Sequence, residues 1–122
     1  TSKFDIVLSL GEKYEDSLAE LLSIEKVEVK AEIDKWRETG NIAIEIRNNG
    51  KLSGLSVTEA DHWCQVLAYK TDIKMVLIFP VKELKRIVKE LVSKKEARLV
   101  MGGDNNKSQL VLLPLDKLKG VA

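Results

Sequence analysis

Cysteine, histidine and proline are nearly missing from this chain of 122 residues, which carries one Cys (Cys64), one His (His62) and two Pro (Pro80 and Pro114). A lone thiol excludes an internal disulfide framework, and with a single imidazole it leaves too few soft ligands for a structural zinc site. A reducing, cytoplasmic setting is expected. Long apolar runs are also missing: none approaches the roughly 20 residues a bilayer-spanning helix needs, so no membrane segment is expected. The opening TSKFDIVLSL lacks the basic start, apolar stretch and small-residue cleavage site of a secretory signal, so export is not expected. Nor is there an excess of charge of one sign. Twenty Lys and Arg stand against 19 Asp and Glu, a net +1, so no global field draws in a polyanion, and contact with one must come from local patches.

What remains is ordinary globular material, 44% hydrophobic and 32% charged, long enough for one domain over residues 1–122 with its own core. GEKYEDSLAELLS predicts a first helix, with Tyr14, Leu18, Leu21 and Leu22 at helical spacing. Glu15 falls beside that apolar stripe rather than opposite it. KVEVKAE and NIAIEIR alternate as strands. The first sets Val27, Val29 and Ala31 against Glu28, Lys30 and Glu32; the second sets Ile42, Ile44 and Ile46 against Ala43, Glu45 and Arg47. Antiparallel pairing of these neighbours, the commoner arrangement, would put Glu28, Lys30, Glu45 and Arg47 on one face.

After the turn NNGK and the small-residue stretch SGLS, VTEADHWCQVLAYK predicts a second helix with Val57, Ala60, Cys64 and Leu67 inward. IKMVLIFP is a nearly unbroken apolar run, expected as a central strand buried on both faces. VKELKRIVKELVSKK predicts an amphipathic helix through Val81, Leu84, Ile87, Val88 and Leu91, and ARLVMGG with SQLVLLPL predicts a terminal hairpin. The expected class is α/β.

Three acids and a lysine stand out. Glu15, Glu28 and Glu45 are hard oxygen ligands of the kind that hold Mg²⁺ or Mn²⁺, and such an ion polarises a phosphate and acidifies a bound water. Lys30, two residues after Glu28, can orient that water or stabilise charge developing on phosphate. A divalent-metal phosphodiesterase needs this combination.

The succession YEDSLAELL, VEVK, TGNIAIEI and GKLSGLSVTEADHW resembles the small phage-associated endonucleases and Holliday-junction-resolvase-like proteins of the PD-(D/E)XK nuclease superfamily. The resemblance spans about residues 11 to 67, and the element order agrees as far as the strand at Met75 to Phe79. An E-x-K triplet alone is weak; the combined pattern is more specific. The resemblance implies a restriction-endonuclease-like core, a central mixed β-sheet flanked by helices. It also implies Mg²⁺-dependent (or Mn²⁺-dependent) hydrolysis of DNA phosphodiester bonds, with Glu15 as the helix acid and Glu28 and Lys30 as the E-x-K pair.

The pattern departs in one respect, since no separate Pro-Asp strand precedes VEVK. Either Glu28 and Lys30 form the E-x-K unit and Glu45 supplies the missing acid, or Glu28 stands for the Asp and Glu45-Ile46-Arg47 occupies the E-x-K strand. Both nominate the same three glutamates and Lys30. Branched or structured DNA is the expected substrate. A homodimer presenting two sites is expected of a resolvase, and the host cytoplasm is its place if the chain is phage-encoded. The rival is a non-catalytic DNA-binding or protein-interaction module on the same fold.

Around this centre Arg47, Lys51, Ser53 and Thr58 are the candidate DNA contacts, the first two through phosphate. Thr58 and Asp61 are read as helix-capping residues beside which a phosphate could sit. Glu32 and Asp34 read as turn and surface residues, His62 as an ordinary histidine rather than a general base, and Cys64 as packing. Trp36 and Trp63 suit either base stacking or the core. The lysines of KELKRIVKELVSKK, interleaved with Glu83 and Glu90, read as a solvated face.

Overall fold

The computed structural model describes residues 26–118, so the helix expected over GEKYEDSLAELLS, and Glu15 with it, lies outside the described residues. The described chain is mixed α/β, with two sheets and few helices. Its elements are β1 (Val27–Ile33), α1 (Lys35–Thr39), β2 (Asn41–Asn48), β3 (Lys51–Leu52), β4 (His62–Tyr69), β5 (Asp72–Pro80), α2 (Val81–Ser93), β6 (Arg98–Gly102) and β7 (Ser108–Pro114). One sheet runs β1-β4-β5, with β1 parallel to β4 and β4 antiparallel to β5. The other runs β3-β2-β7-β6, antiparallel throughout.

Three expectations are corrected. Strands β1 and β2 do not pair; the link IDKWRETG carries a helix, α1, that moves the chain from one sheet to the other. The helix expected from VTEADHWCQVLAYK is strand β4 from His62 onward. Trp63 to Leu67 are five consecutive buried residues, the mark of a strand covered on both faces, whereas Val57, expected inward, is 53% exposed. The apolar run IKMVLIFP is a strand, β5, but it lies at a sheet edge with Met75 exposed. The central position belongs to β4. None of the β5 residues is fully buried, so the expected burial on both faces does not hold either: an apolar run is equally compatible with an edge strand that is only partly covered.

The remaining elements follow the sequence closely. Helix α2 buries Val81, Leu84, Ile87 and Leu91, the i, i+3, i+6, i+10 stripe of an amphipathic helix. These side chains meet Trp63 and Leu67 of β4, Ile42 and Ile44 of β2, and Val111 and Leu113 of β7 in one shared core. β6 and β7 form the expected hairpin. No helix among the described residues is long and apolar enough to cross a membrane.

Two polar devices fasten the connection between the sheets, one anchoring α1 to the first sheet and one bridging both. The indole Nε1 of Trp36, on α1, donates to the carbonyl of Ala68 on β4 at 2.6 Å. Glu32 does more. Its Oε1 accepts the backbone N–H of Ala43 on β2 (2.9 Å), and its Oε2 accepts Nε2 of Gln65 on β4 (2.7 Å). Gln65, itself fully buried, takes the Trp63 indole N–H on its Oε1 at 2.8 Å. A residue read from sequence as a surface acid is therefore the hinge pin between the sheets. Asp34 is the turn residue expected: it has φ +65°, and its Oδ1 accepts the N–H of Lys70 at 2.6 Å.

Burial pushes the Glu32 carboxyl above its ordinary pKa, against the opposing pull of the Gln65 and Ala43 hydrogen bonds. A carboxyl raised on folding binds more protons in the native state, so its contribution to stability is present at low pH and is lost as pH rises through the raised value. The stability advantage of the wild type over Glu32→Gln should therefore shrink as pH climbs above 4.5. Urea midpoints of the two proteins across that range check this; an advantage that widens with pH would show the hydrogen bonds outweighing burial. At neutral pH, Glu32→Ala should cost about 1–3 kcal/mol, because Gln65 and the Ala43 N–H lose their partner.

Candidate functional site

The site grows from an irregularity in β2. Glu45 pairs with Leu110 of β7 and Arg47 with Gln109, leaving Ile46 as an extra residue in a β-bulge. The Ile46 carbonyl is taken up by the loop that follows the β2–β3 hairpin, through the N–H of Ser53 (3.0 Å) and the hydroxyl of Ser56 (2.8 Å). Between those serines Gly54 presses on the Glu45 backbone. Its φ is +53°, and a Cβ there would lie 2.9 Å from the Glu45 carbonyl carbon. Glycine at the second position of SGLS is thus required twice, by conformation and by space. The hairpin itself turns on Asn49 and Gly50, both at positive φ, as a two-residue primed turn demands.

This loop holds both described glutamates of the predicted centre. At its start, Ser53 Oγ donates to Glu45 Oε2 at 3.0 Å, while Ser108 Oγ, from β7, donates to Glu45 Oε1 at 2.8 Å. Ser108 in turn accepts Asn48 Nδ2 at 2.8 Å. At the loop's far end Thr58 Oγ1 donates to Glu28 Oε1 at 3.1 Å. The two ends are tied together, since Thr58 N–H donates to the Gly54 carbonyl at 3.0 Å. Lys30 Nζ stands 3.6 Å from Glu28 Oε2, both side chains partly exposed, where such a pair contributes little stability and leaves both groups accessible.

Glu28 and Lys30 therefore come from one sheet and Glu45 from the other, and residues 53–58 span the distance between them. The shared face expected from β1–β2 pairing does not exist; the loop replaces it. Arg47 and Lys51 are exposed on the β2–β3 hairpin beside Ser53. The hydroxyls of Ser53 and Thr58, expected as DNA contacts, donate to the glutamates. Thr58 and Asp61 cap no helix, because none begins there: Asp61 Oδ2 accepts the Lys26 N–H at 3.3 Å, and the Asp61 carbonyl accepts the Val81 N–H. Trp36 and Trp63 are buried, 8% and 1% exposed, and so belong to the core rather than to a stacking surface. Cys64 is buried as expected. His62 opens β4 and its N–H donates to the Lys26 carbonyl at 3.1 Å.

Sequence reasoning missed Ser108 and Asn48. Ser108 lies 63 residues from Glu45, and nothing local marks a serine at the start of a strand as a partner for a distant acid. The hydroxyl network around Glu45 has the form of the hydrogen-bonded support usual behind a ligating carboxylate. The donor set is oxygen alone, which suits a hard cation. Among the described residues no group of three or more Asp, Glu, His or Cys side chains gathers. Magnesium asks for less than that, being commonly held by one or two carboxylates with water and substrate phosphate completing the shell, and the oxygen donors of Glu28 or of Glu45 have the chemistry such an ion takes.

The loop's rigidity can be tested directly. Gly54→Ala should destabilise the protein by more than the roughly 1–2 kcal/mol of a left-handed conformation, because the Glu45 backbone must also move. Gly50→Ala, with φ +80° and open space around it, should cost only the conformational part. Thermal or urea unfolding of the two variants compares them; equal costs would mean the loop shifts freely over β2.

Compared with protein-family models, with curated proteins and with solved structures, the chain matches none.

Proposed function

We propose that the protein is a metal-dependent DNA endonuclease of PD-(D/E)XK type with a restriction-endonuclease-like core, acting on branched or structured DNA. The observation that carries this reading is the single loop, residues 53–58, that orients Glu28 and Glu45 by hydroxyl hydrogen bonds at its two ends, with Lys30 beside Glu28. The sequence resemblance supplies the rest.

In this reading Glu28 and Glu45, joined by Glu15 from outside the described residues, hold Mg²⁺ or Mn²⁺. When bound, the ion supplies Lewis-acid polarisation of the scissile phosphate and acidification of water. Lys30 places its ammonium at the phosphate, where it aligns the attacking water and stabilises developing negative charge. Thr58, Ser53 and Ser108 fix the carboxylate orientations. Arg47 and Lys51, exposed on the adjoining hairpin, hold a neighbouring phosphate without reading sequence. Two such centres in a homodimer would cut two strands of a junction symmetrically. The engagement of both Glu45 oxygens by serine hydroxyls favours one rival, a DNA-binding or protein-interaction module in which Glu45 is purely structural.

The deciding experiment incubates the protein with a labelled four-way junction and a matched linear duplex in Mg²⁺, Mn²⁺ or EDTA. Paired, metal-dependent nicks on the junction, abolished by Glu28→Ala and by Lys30→Ala, are the expected result. Ser53→Ala, which removes only an orienting hydroxyl, should retain activity reduced about 10–100-fold. Absence of scission under every metal would overturn the nuclease reading in favour of the module.

A further inference from the structure

Helix α2 carries more on its surface than a solvated charge pattern. A groove of about 590 Å³ runs between α2 and the loop at Leu55 and Ser56. Lys82, Lys85 and Lys89 line its helical side, and Ile46, Leu55 and Val88 form an apolar floor. From sequence, these lysines interleaved with Glu83 and Glu90 read as a solvated face. The acids are committed elsewhere: Glu83 and Glu90 both bond Arg86, and Glu90 also bonds Lys94 at 2.9 Å. Those bonds hold both carboxyls below their ordinary range. Among the described residues no acid lies within ion-pair distance of Lys82, Lys85 or Lys89, and all three are exposed.

Position gives the groove its meaning. Its loop wall includes Ser56, whose hydroxyl holds the bulged Ile46 carbonyl, one residue from Glu45. The groove thus leads to the loop that orients both glutamates. Along the helix the lysines recur at intervals of three and four residues, a row of about 10 Å at 1.5 Å per residue. A nucleic-acid strand carries a phosphate at every nucleotide, so a row of that length can meet more than one of them. The depression between helix and loop is shallow and open, with its lysines exposed along one side, so an extended polyanionic strand can lie along it.

We infer that this groove is a second DNA contact, in which Lys82, Lys85 and Lys89 hold the phosphodiester backbone leading to the glutamates, additional to Arg47 and Lys51 on the hairpin. The inference rests on the nuclease reading for its ligand and is tested without catalysis. Binding of a fluorescein-labelled duplex and of a four-way junction is measured by anisotropy in EDTA over a range of salt. The proteins compared are the wild type, Lys82→Ala/Lys85→Ala/Lys89→Ala, and a control, Lys70→Ala/Lys74→Ala/Lys117→Ala, whose lysines do not line the groove. Each triple variant changes net charge equally, from +1 to −2 by loss of three lysines.

The groove variant should bind at least about tenfold more weakly at moderate salt, with its log K against log salt slope shallower by about two to three. The control should keep the wild-type slope. Unchanged binding by the groove variant, or equal loss in the control, overturns the inference. So does a wild type that binds vesicles of phosphatidylserine and phosphatidylcholine but no DNA. Groove-dependent binding without metal-dependent scission would sustain the inference and remove the nuclease reading; scission with groove-independent binding would do the reverse. All three lysines are exposed, so matching urea midpoints are expected and confirm that folding is intact.

Discussion

The rest of the site depends on how the chain satisfies one displaced carbonyl, that of Ile46. A bulge takes this residue out of register with β7, and a carbonyl left without a partner near the core would be costly. Ser53 and Ser56 supply the two donors. To do so the loop must lie flat on β2, which glycine at position 54 permits because a Cβ there would strike the Glu45 backbone. Once seated, the loop has Ser53 against the Glu45 carboxylate and Thr58 against that of Glu28. The hydrogen bonds that satisfy the bulge and those that orient the glutamates therefore belong to one loop and form together.

A second polar constraint sets the relation of the two sheets on which those glutamates stand. Strand β2 is paired to β3 only at Arg47 and Asn48, so the N–H of Ala43 finds no strand partner on that side. Glu32 reaches from β1 to accept it and is braced by Gln65, which is braced by Trp63. The apolar core shared by α2, β2, β4 and β7 supplies cohesion, while this chain of directed bonds supplies alignment. Partial burial raises the Glu32 pKa, so the same link that aligns the sheets carries a pH dependence.

Much of the frame is legible residue by residue. The stripe Val81, Leu84, Ile87, Leu91 marks α2 because, of the regular backbone forms, the α-helix is the one that returns a side chain to the same face every 3.6 residues. Alternation marks β1 and β2, and Asn49-Gly50 marks a tight turn. The segment VTEADHWCQVLAYK reads as helix from sequence because Val57, Ala60, Cys64 and Leu67 fall at helical spacing, while a strand covered on both faces shows no alternation to argue against it. The signal that points to the strand's surroundings is Gln65: a polar residue inside an apolar run needs a buried partner, and Glu32 is that partner.

Sequence by itself determined the buried stripe of α2, where the chain turns at Asn49 and Gly50, and which acids and bases stand at the centre of short β-prone stretches, since these follow from local period and residue chemistry. Only the tertiary structure decided that Glu28 and Glu45 belong to different sheets, that residues 53–58 bring them under common control, that Ser108 supports Glu45 from 63 residues away, and that Arg86 and Lys94 take up the acids among the lysines of α2. Hydrogen-bond partners across long sequence separations are chosen by packing and register. No local periodicity encodes them.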